Sequence, residues 1–267
     1  MGEKYLVSIP AAGGRYGLTV GASHVIVKKI RKTDPNAVIH YSGISSGAIV
    51  AVLAIIMDEL ETKVNVTKLR SHSILHKELI EMIKNEGEWE HSISNYFQNN
   101  EYFFRGLTKF IKHNIIDINK INDKVHIGYC KLSPEHRLEF KVVSRFNDVD
   151  DLIGALLASS HYSWVLKNSH YYEYRGDKCV DGIFMHDRFS VPGYKNINID
   201  DDIFVSTDIR DSMLGLSHEK YIALYKMGKK HQRKKNLEFF ETDGVINTSM
   251  QTIVWDFLDV IYTLIYG

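Results

Sequence analysis

Short apolar segments near the start of the chain enclose a longer amphipathic one. Residues 5–9 (YLVSI) and 37–41 (AVIHY) are mostly apolar and are bounded by glycine, proline and asparagine, a pattern typical of buried strands. Between them, residues 18–31 carry apolar positions at helical spacing and end in cations, which favour a helix C-terminus. The pattern predicts a strand, a glycine turn, a helix and a second strand.

An almost wholly apolar segment follows the second predicted strand. Residues 46–60 (SGAIVAVLAIIMDEL) predict a helix that is buried on most sides. Strands joined through a helix form right-handed parallel crossovers, so the opening of the chain is predicted to be a β–α–β–α unit with a parallel sheet.

The rest of the chain continues this alternation. Strands are predicted at residues 125–132, 137–144, 171–174, 179–180 and 203–206, and helices at residues 149–159, 217–235 and 248–266. We find no internal repeat, and no linker divides the sequence. The sequence therefore predicts one α/β domain over residues 1–267.

Composition narrows the class of protein. Hydrophobic residues make up 44% and charged residues 25% of 267, which excludes a disordered or fibrous chain. The 33 basic and 33 acidic residues give no net charge, so no nucleic-acid partner is expected. Two cysteines are too few for a disulfide framework, and no apolar run is long enough to span a bilayer. We expect a soluble cytoplasmic protein with membrane contact only at its surface.

A serine lies in a glycine-flanked turn after the second strand. Gly43-Ile44-Ser45-Ser46-Gly47 has the spacing G-x-S-x-G, which at a strand-to-helix junction forms a tight turn and projects the serine hydroxyl from the sheet. Ser45 also precedes an apolar helix, whose N-terminal dipole favours developing negative charge. The segment is either a nucleophile turn or only a turn of small residues.

A second glycine turn follows the first strand. Gly13 and Gly14 precede a predicted helix, where free backbone amides can converge on an oxyanion. The segment is not G-x-G-x-x-G, and no Lys-Ser or Lys-Thr follows it, which argues against dinucleotide and P-loop sites. An acyl-transfer site at two adjacent strand ends fits better.

A nucleophilic serine needs a base, and the sequence offers two kinds. In an α/β-hydrolase, the acid Asp181 would be followed by His186, His218 or His231. Alternatively, Asp181 itself is the base, because a carboxylate between a strand end and Gly182 can reach a hydroxyl. Asp-Gly is also a common turn, so both alternatives remain open here.

Taken together, these motifs resemble the patatin-like phospholipases. The glycine turn after the first strand, the G-x-S-x-G and Val180-Asp181-Gly182 carry the resemblance, which extends over residues 5–230. Residues 157–160 (LASS) and 224–228 (LYKMG) are similar to two further family segments. The chain differs from the family at Ala12, which replaces the first glycine, at Tyr16, where the basic residue normally lies, and at Ile183 after Asp181-Gly182.

The resemblance implies a fold, a site and an activity. The fold is a three-layer αβα sandwich with a mostly parallel central sheet. Ser45 is the nucleophile, Asp181 the general base, and the amides of Gly13, Gly14 and Arg15 form the oxyanion hole. The implied activity is that of a carboxylic ester hydrolase cleaving fatty-acyl esters of phospholipids or related glycerolipids through an acyl-enzyme, with no cofactor and no metal. The alternatives are a Ser-His-Asp α/β-hydrolase and a catalytically silent lipid-binding module of the same fold.

Cations at the end of the predicted helix 217–235 indicate a lipid partner. They are Lys226, Lys229, Lys230, Arg233, Lys234 and Lys235. Each can add up to about 1 kcal/mol of attraction to an anionic bilayer, although cations also complement a helix C-terminus. The predicted helix 248–266 has one apolar face, which fits either a core helix or a membrane contact.

Overall fold

A mixed, mostly parallel β-sheet with helices around it forms the centre of the protein. The computed structural model describes residues 2–64, 68–87, 96–115, 117–134, 137–161, 170–186, 188–204 and 217–239. The strands are Lys4–Ile9 (β1), Val38–Ile44 (β2), Val125–Leu132 (β3), Leu138–Val143 (β4), Tyr172–Tyr174 (β5), Asp177–Asp181 (β6) and Lys195–Asn198 (β7). The α-helices within these ranges are Tyr16–Thr33 (α1), Ser46–Val64 (α2), Lys68–Lys84 (α3), Tyr96–Asn114 (α4), Val149–Ser159 (α5) and His218–Arg233 (α6).

Hydrogen-bonded neighbours in the sheet follow the series β5-β6-β3-β2-β1-β7, in which β6 and β2 pair with successive parts of β3, and β4 pairs with the other edge of β3. β1, β2, β3 and β7 run in parallel, while β4 and β6 are antiparallel to β3. Ile9 at the end of β1 lies opposite Gly43 at the end of β2, so the loops that follow both strands emerge side by side. The predicted parallel β–α–β–α opening is confirmed.

The helix α2 runs through the core. Every side chain from Ala48 to Met57 is buried, and α2 contacts β1, β2, β3 and three helices. This explains its nearly continuous apolar sequence, since burial on all sides removes the polar stripe of a surface helix. The Ser46 end of α2 is thereby fixed against the ends of β1 and β2.

The helices α1 and α6 pack closely and run in the same direction. A Cβ atom on Gly17 would lie 3.0 Å from the Tyr221 carbonyl oxygen, and one on Gly21 would overlap the Tyr225 carbonyl. Near the C-terminus of α1, Lys29 Nζ donates to the Gln232 carbonyl at 2.9 Å. Both helices therefore end on the side of the molecule where β2 begins, opposite the strand ends that carry the glycine turns.

Most predicted elements are found within a few residues of their expected bounds, and several differ. β2 continues through Ser42, Gly43 and Ile44 instead of ending at residue 41, and β7 is not among the predicted strands. The predicted strand 203–206 is wrong in its described part, because Asp201–Phe204 forms a 3₁₀ turn. The predicted helix 248–266 lies outside the described residues. None of the helices described is both long enough and apolar enough to cross a membrane.

Candidate active site

Ser45 occupies a strained turn between β2 and α2. Its φ is +55°, in the left-handed region that residues with a Cβ atom rarely adopt. The turn is tight because a Cβ atom on Gly43 would overlap the Gly47 carbonyl, and one on Gly47 would overlap the Ile9 carbonyl. Ser45 is half-buried in an otherwise buried segment. The G-x-S-x-G therefore forms a compact turn with a partly accessible serine.

The loop after β1 is tied directly to this turn. The amide of Ala12 donates to Ser46 Oγ at 2.8 Å. Sequence reasoning assigned no role to Ser46, because an amide donor from a distant loop leaves no local signal. This bond joins the predicted oxyanion loop to the nucleophile turn.

The three predicted oxyanion residues form a 3₁₀ turn, Gly13–Arg15. Gly13 has φ +52°, and it is exposed, while Gly14 is half-buried. The amide of Arg15 donates to the Ala12 carbonyl at 3.0 Å, so it is already engaged within the turn. The amides of Gly13 and Gly14 belong to the first turn of a helix, where intrahelical acceptors are lacking. Of the three, Gly13 and Gly14 are the better oxyanion donors.

Asp181 ends β6 in a nearly dry position. The residue is 1% exposed. Its carboxylate accepts a hydrogen bond from the Ile183 amide at 2.9 Å, and the Ser45 hydroxyl lies close enough to influence its pKa. Burial raises the pKa of Asp181 from 3.8 to about 7, although the Ile183 amide and the Ser45 hydroxyl both act to lower it. A carboxyl group with this pKa is suited to accept a proton near neutral pH.

The sheet explains how two residues so distant in sequence meet. Along β3, residues 127 and 128 pair with both β2 and β4, and residues 129–131 pair with both β6 and β4. β2 and β6 therefore share one edge of β3 and run towards each other. Their C-terminal ends meet opposite Gly128 and Tyr129, which brings Ser45 to Asp181.

Gly182 makes this junction possible. A Cβ atom there would lie 2.8 Å from Ile44 Cγ2 and 3.0 Å from the Gly128 carbonyl oxygen. Glycine is therefore required after Asp181 for two reasons, because it allows the turn and because it leaves room for β6 to pack against the end of β2.

The structure assigns the candidate histidines to other contacts. His218 Nδ1 lies 3.0 Å from Nδ1 of His76, and His231 Nε2 lies 3.2 Å from Asp202 Oδ1. The ring of His186 packs edge-on against Phe140 with centroids 4.6 Å apart. Within the described residues, no imidazole is among the groups that shift the pKa of Asp181. The geometry favours direct proton transfer from Ser45 to Asp181.

No three His, Cys, Asp or Glu side chains of the described ranges are grouped as metal ligands. The exposed carboxylates of Asp200 and Asp202 instead accept hydrogen bonds from Lys235 Nζ at 2.6 Å. Lys235 is thus engaged in an ion pair and contributes less to the predicted cationic surface than its neighbours.

The remaining cations lie on the C-terminal half of α6 and at Lys234, which directly follows it. Lys226, Lys230, Arg233 and Lys234 are exposed, and Lys229 is half-buried beside Arg233 and Lys28 of α1. Because α1 begins at the oxyanion loop and α6 runs parallel to it, Lys230, Arg233 and Lys234 lie at the opposite end of the helix pair, and Lys226 lies midway along α6. The 13 residues from Tyr16 to Lys29, whose Nζ contacts the Gln232 carbonyl at the end of α6, span about 20 Å at a rise of 1.5 Å per residue.

The assignment of this site depends on its geometry and on the sequence motifs. Ser45, Asp181, Gly13 and Gly14 are brought together at one end of the sheet, as the sequence predicts. Ser46 is an addition from the structure, and so is Ser159, whose hydroxyl contacts the Ser45 amide. No family model matches the chain, and no curated protein matches it.

Proposed function

We propose that the protein is a carboxylic ester hydrolase that uses a Ser45–Asp181 dyad. The observation that supports it best is a buried carboxylate beside the Ser45 hydroxyl, at a strained turn next to the Gly13–Arg15 loop. A nucleophile, its base and adjacent amide donors are the parts that acyl transfer requires.

In the proposed mechanism, Asp181 accepts the Ser45 proton while the oxygen of Ser45 attacks the ester carbonyl. The amides of Gly13 and Gly14 stabilise the oxyanion, a contribution of about 10²–10³ in rate for one donor in a known hydrolase. Collapse of the intermediate expels the alcohol, which takes the proton from Asp181, and leaves an acyl-enzyme. Asp181 then accepts a proton from water as the water oxygen attacks the acyl carbonyl, and it returns that proton to Ser45 Oγ when the bond to Ser45 breaks and the acid is released.

The proposed substrate class is a fatty-acyl ester of a phospholipid or related glycerolipid. It is supported by the resemblance of the Ser45, Asp181 and Gly13–Gly14 motifs to patatin-like phospholipases, together with the α/β fold and the mostly parallel sheet. A patatin-like three-layer arrangement is part of the same proposal.

The test is hydrolysis of a short-chain nitrophenyl ester and labelling by a fluorophosphonate. Ser45→Ala should abolish both, with the thermal midpoint within a few degrees of wild type, because one small residue replaces another. Asp181→Asn should lower the rate by at least about 10²-fold, the scale of a positioned general base. The matched control is Asp177→Asn, since Asp177 lies on the same strand and pairs with Lys131 at 2.6 Å. Full activity in pure Ser45→Ala would overturn the proposal.

The same assay separates the alternatives. Loss of activity in a folded alanine variant of His186, His218 or His231 would favour a Ser-His-Asp hydrolase. Absence of hydrolysis and labelling in the wild type, with retained binding to lipid vesicles, would favour a silent lipid-binding module.

We also propose that the protein is cytoplasmic and contacts an anionic lipid surface. Exposed Lys226, Lys230, Arg233 and Lys234, which have no ion pair within the described residues, support it. A bilayer bound there would tether the protein without covering the Ser45 end of the sheet.

Co-sedimentation of the Ser45→Ala protein with vesicles tests this contact. Binding should require anionic lipid and fall as the Debye length shortens from about 10 Å at 0.1 M salt to about 3 Å at 1 M. Changing Lys226, Lys230 and Lys234 to Gln should weaken it. A matched control changes three other exposed lysines, Lys4, Lys124 and Lys178, and should bind as before. Vesicle binding that does not change with salt concentration would contradict the role of these cations.

A further inference from the structure

The main chain of Ser45 is held by a side chain from another part of the fold. The Ser45 amide donates to Ser159 Oγ at 2.9 Å. Ser159 is the last residue of α5, and it is fully buried. Because Ser45 has φ +55°, which costs roughly 1–2 kcal/mol for a residue with a Cβ atom, its conformation needs support from its surroundings.

The Ser159 hydroxyl is itself fixed in orientation. It donates to the Gly128 carbonyl at 2.6 Å, so its proton is used and its oxygen is left to accept the Ser45 amide. Gly128 of β3 pairs with Ile44 of β2, and the next residue of β3, Tyr129, pairs with Asp181. The bridge from Ser45 through Ser159 to Gly128 therefore ties the nucleophile to the strand that also holds the base.

The bridge also decides which amides are available to an oxyanion. The Ser45 amide points to Ser159 and is occupied, and the Arg15 amide is bonded to Ala12. Stabilisation of the oxyanion is thereby left to other amides, of which Gly13 and Gly14 belong to the adjacent loop.

We propose that Ser159 is a positioning residue for the dyad. Its hydroxyl holds Ser45 in the left-handed conformation that directs the nucleophile at Asp181, and it keeps the Ser45 amide out of the oxyanion hole. This inference rests on the proposed hydrolase function. Ser159 does not touch the reacting atoms. Its removal should therefore reduce the fraction of molecules in which Ser45 is oriented towards Asp181, and it should leave substrate binding unchanged.

The neighbouring serine provides a matched control. Ser160 is also buried, at 8% exposure, and its Oγ has no hydrogen-bond partner among the described residues. Ser159→Ala and Ser160→Ala therefore remove the same atom from adjacent buried positions, and only the first removes the bridge.

The experiment compares kcat and KM for nitrophenyl ester hydrolysis in the two variants, with active sites counted by fluorophosphonate labelling. We expect kcat per labelled site to fall at least about tenfold in Ser159→Ala, the equivalent of one hydrogen bond of about 1.4 kcal/mol. KM should stay within about twofold, and the pH midpoint should not move because Asp181 remains buried. Ser160→Ala should retain wild-type kcat. Ser159→Cys, which preserves volume but weakens the bonds, should be intermediate, and it serves as the test if Ser159→Ala does not fold.

A second measurement does not depend on activity. Hydrogen exchange of the peptide spanning residues 43–47 should accelerate in Ser159→Ala and not in Ser160→Ala. Equal kcat in both alanine variants, or equal exchange, would overturn the inference about Ser159. An inactive wild type with accelerated exchange in Ser159→Ala would instead overturn the hydrolase function and leave the anchoring of Ser45 supported.

Discussion

Asp181 should lower the stability of the folded protein at neutral and alkaline pH. Burial raises its pKa from 3.8 to about 7, so the folded state binds this proton more tightly than the unfolded state. Between these two values the folded state carries the extra proton, and each rise of one pH unit removes about 1.36 kcal/mol of stability. Above pH 7 the loss is complete at about 4 kcal/mol.

The Asp181→Asn variant isolates this effect. Asn has nearly the same volume and keeps an oxygen that can accept from the Ile183 amide, but it carries no charge to desolvate. We expect the variant to be more stable than wild type at pH 8, by up to about 4 kcal/mol, and the difference to shrink towards zero at pH 4. The same variant should have lost its hydrolytic activity.

Urea unfolding at pH 4, 6 and 8 measures the difference in the free energy of unfolding. Asp177→Asn is the control, since Asp177 lies on the same strand but is half-buried and paired with Lys131, and this variant should not be more stable than wild type. In the wild type, kcat/KM should fall about tenfold per pH unit below pH 7, as the base becomes protonated. A difference between Asp181→Asn and wild type that is independent of pH would refute the reasoning, as would a variant that is less stable at pH 8.

Three further predictions concern the packing around the site. Gly182→Ala, whose Cβ would lie 2.8 Å from Ile44 Cγ2, should cost about 1–3 kcal/mol in urea unfolding and abolish hydrolysis; wild-type stability would contradict the close junction. Gly13 has φ +52°, so Gly13→Ala should lower the free energy of unfolding by about 1–2 kcal/mol and should lower kcat by shifting the amide of residue 13. An unchanged kcat would exclude Gly13 as an oxyanion donor. Burial lowers the pKa of His76 to about 3, so stability is lost as pH falls below 6.5; His76→Gln should lose less stability than wild type between pH 7 and pH 5, and an equal loss would exclude His76 as the cause.

The first half of the site could be predicted because its signals are local. The apolar runs that form β1 and β2 lead directly into glycine turns, and the spacing within those turns fixes where Ser45 and Gly13 lie. Parallel pairing then aligns the two strand ends without further information. Asp181 could be named from its Gly neighbour, but its meeting with Ser45 depends on the shared edge of β3, which no local pattern encodes.

The strand β7 shows why other elements were missed. Its sequence, Lys195–Asn198 (KNIN), lacks the apolar character of a strand next to β1. Asn196 is nevertheless fully buried, because its side chain donates to the Tyr194 carbonyl at 2.9 Å and accepts from the Val191 amide at 3.2 Å. Satisfied hydrogen bonds allow a polar residue in the core, and they form only when the preceding loop is in place.

The roles of Ser46 and Ser159 were hidden for the same reason. Each hydroxyl accepts from an amide that is far away in the sequence, in one case from the loop after β1 and in the other from the turn after β2. A serine in a sequence does not reveal its partner, whereas a glycine at a strand end reveals a turn.

The shared edge of β3 also has a consequence for how activity arises during synthesis. Apart from the later bond to Ser159, the turn at Ser45 is held by contacts among β1, β2 and α2, all of which leave the ribosome early. The base arrives much later on β6, a short strand that joins β3 through three residue pairs, Tyr129 with Asp181, Cys130 with Val180 and Lys131 with Cys179. Pairings between distant segments form slowly because a long loop must close first. In the proposed hydrolase, a nascent chain therefore carries Ser45 before it has Asp181, and activity requires that the late strand has docked.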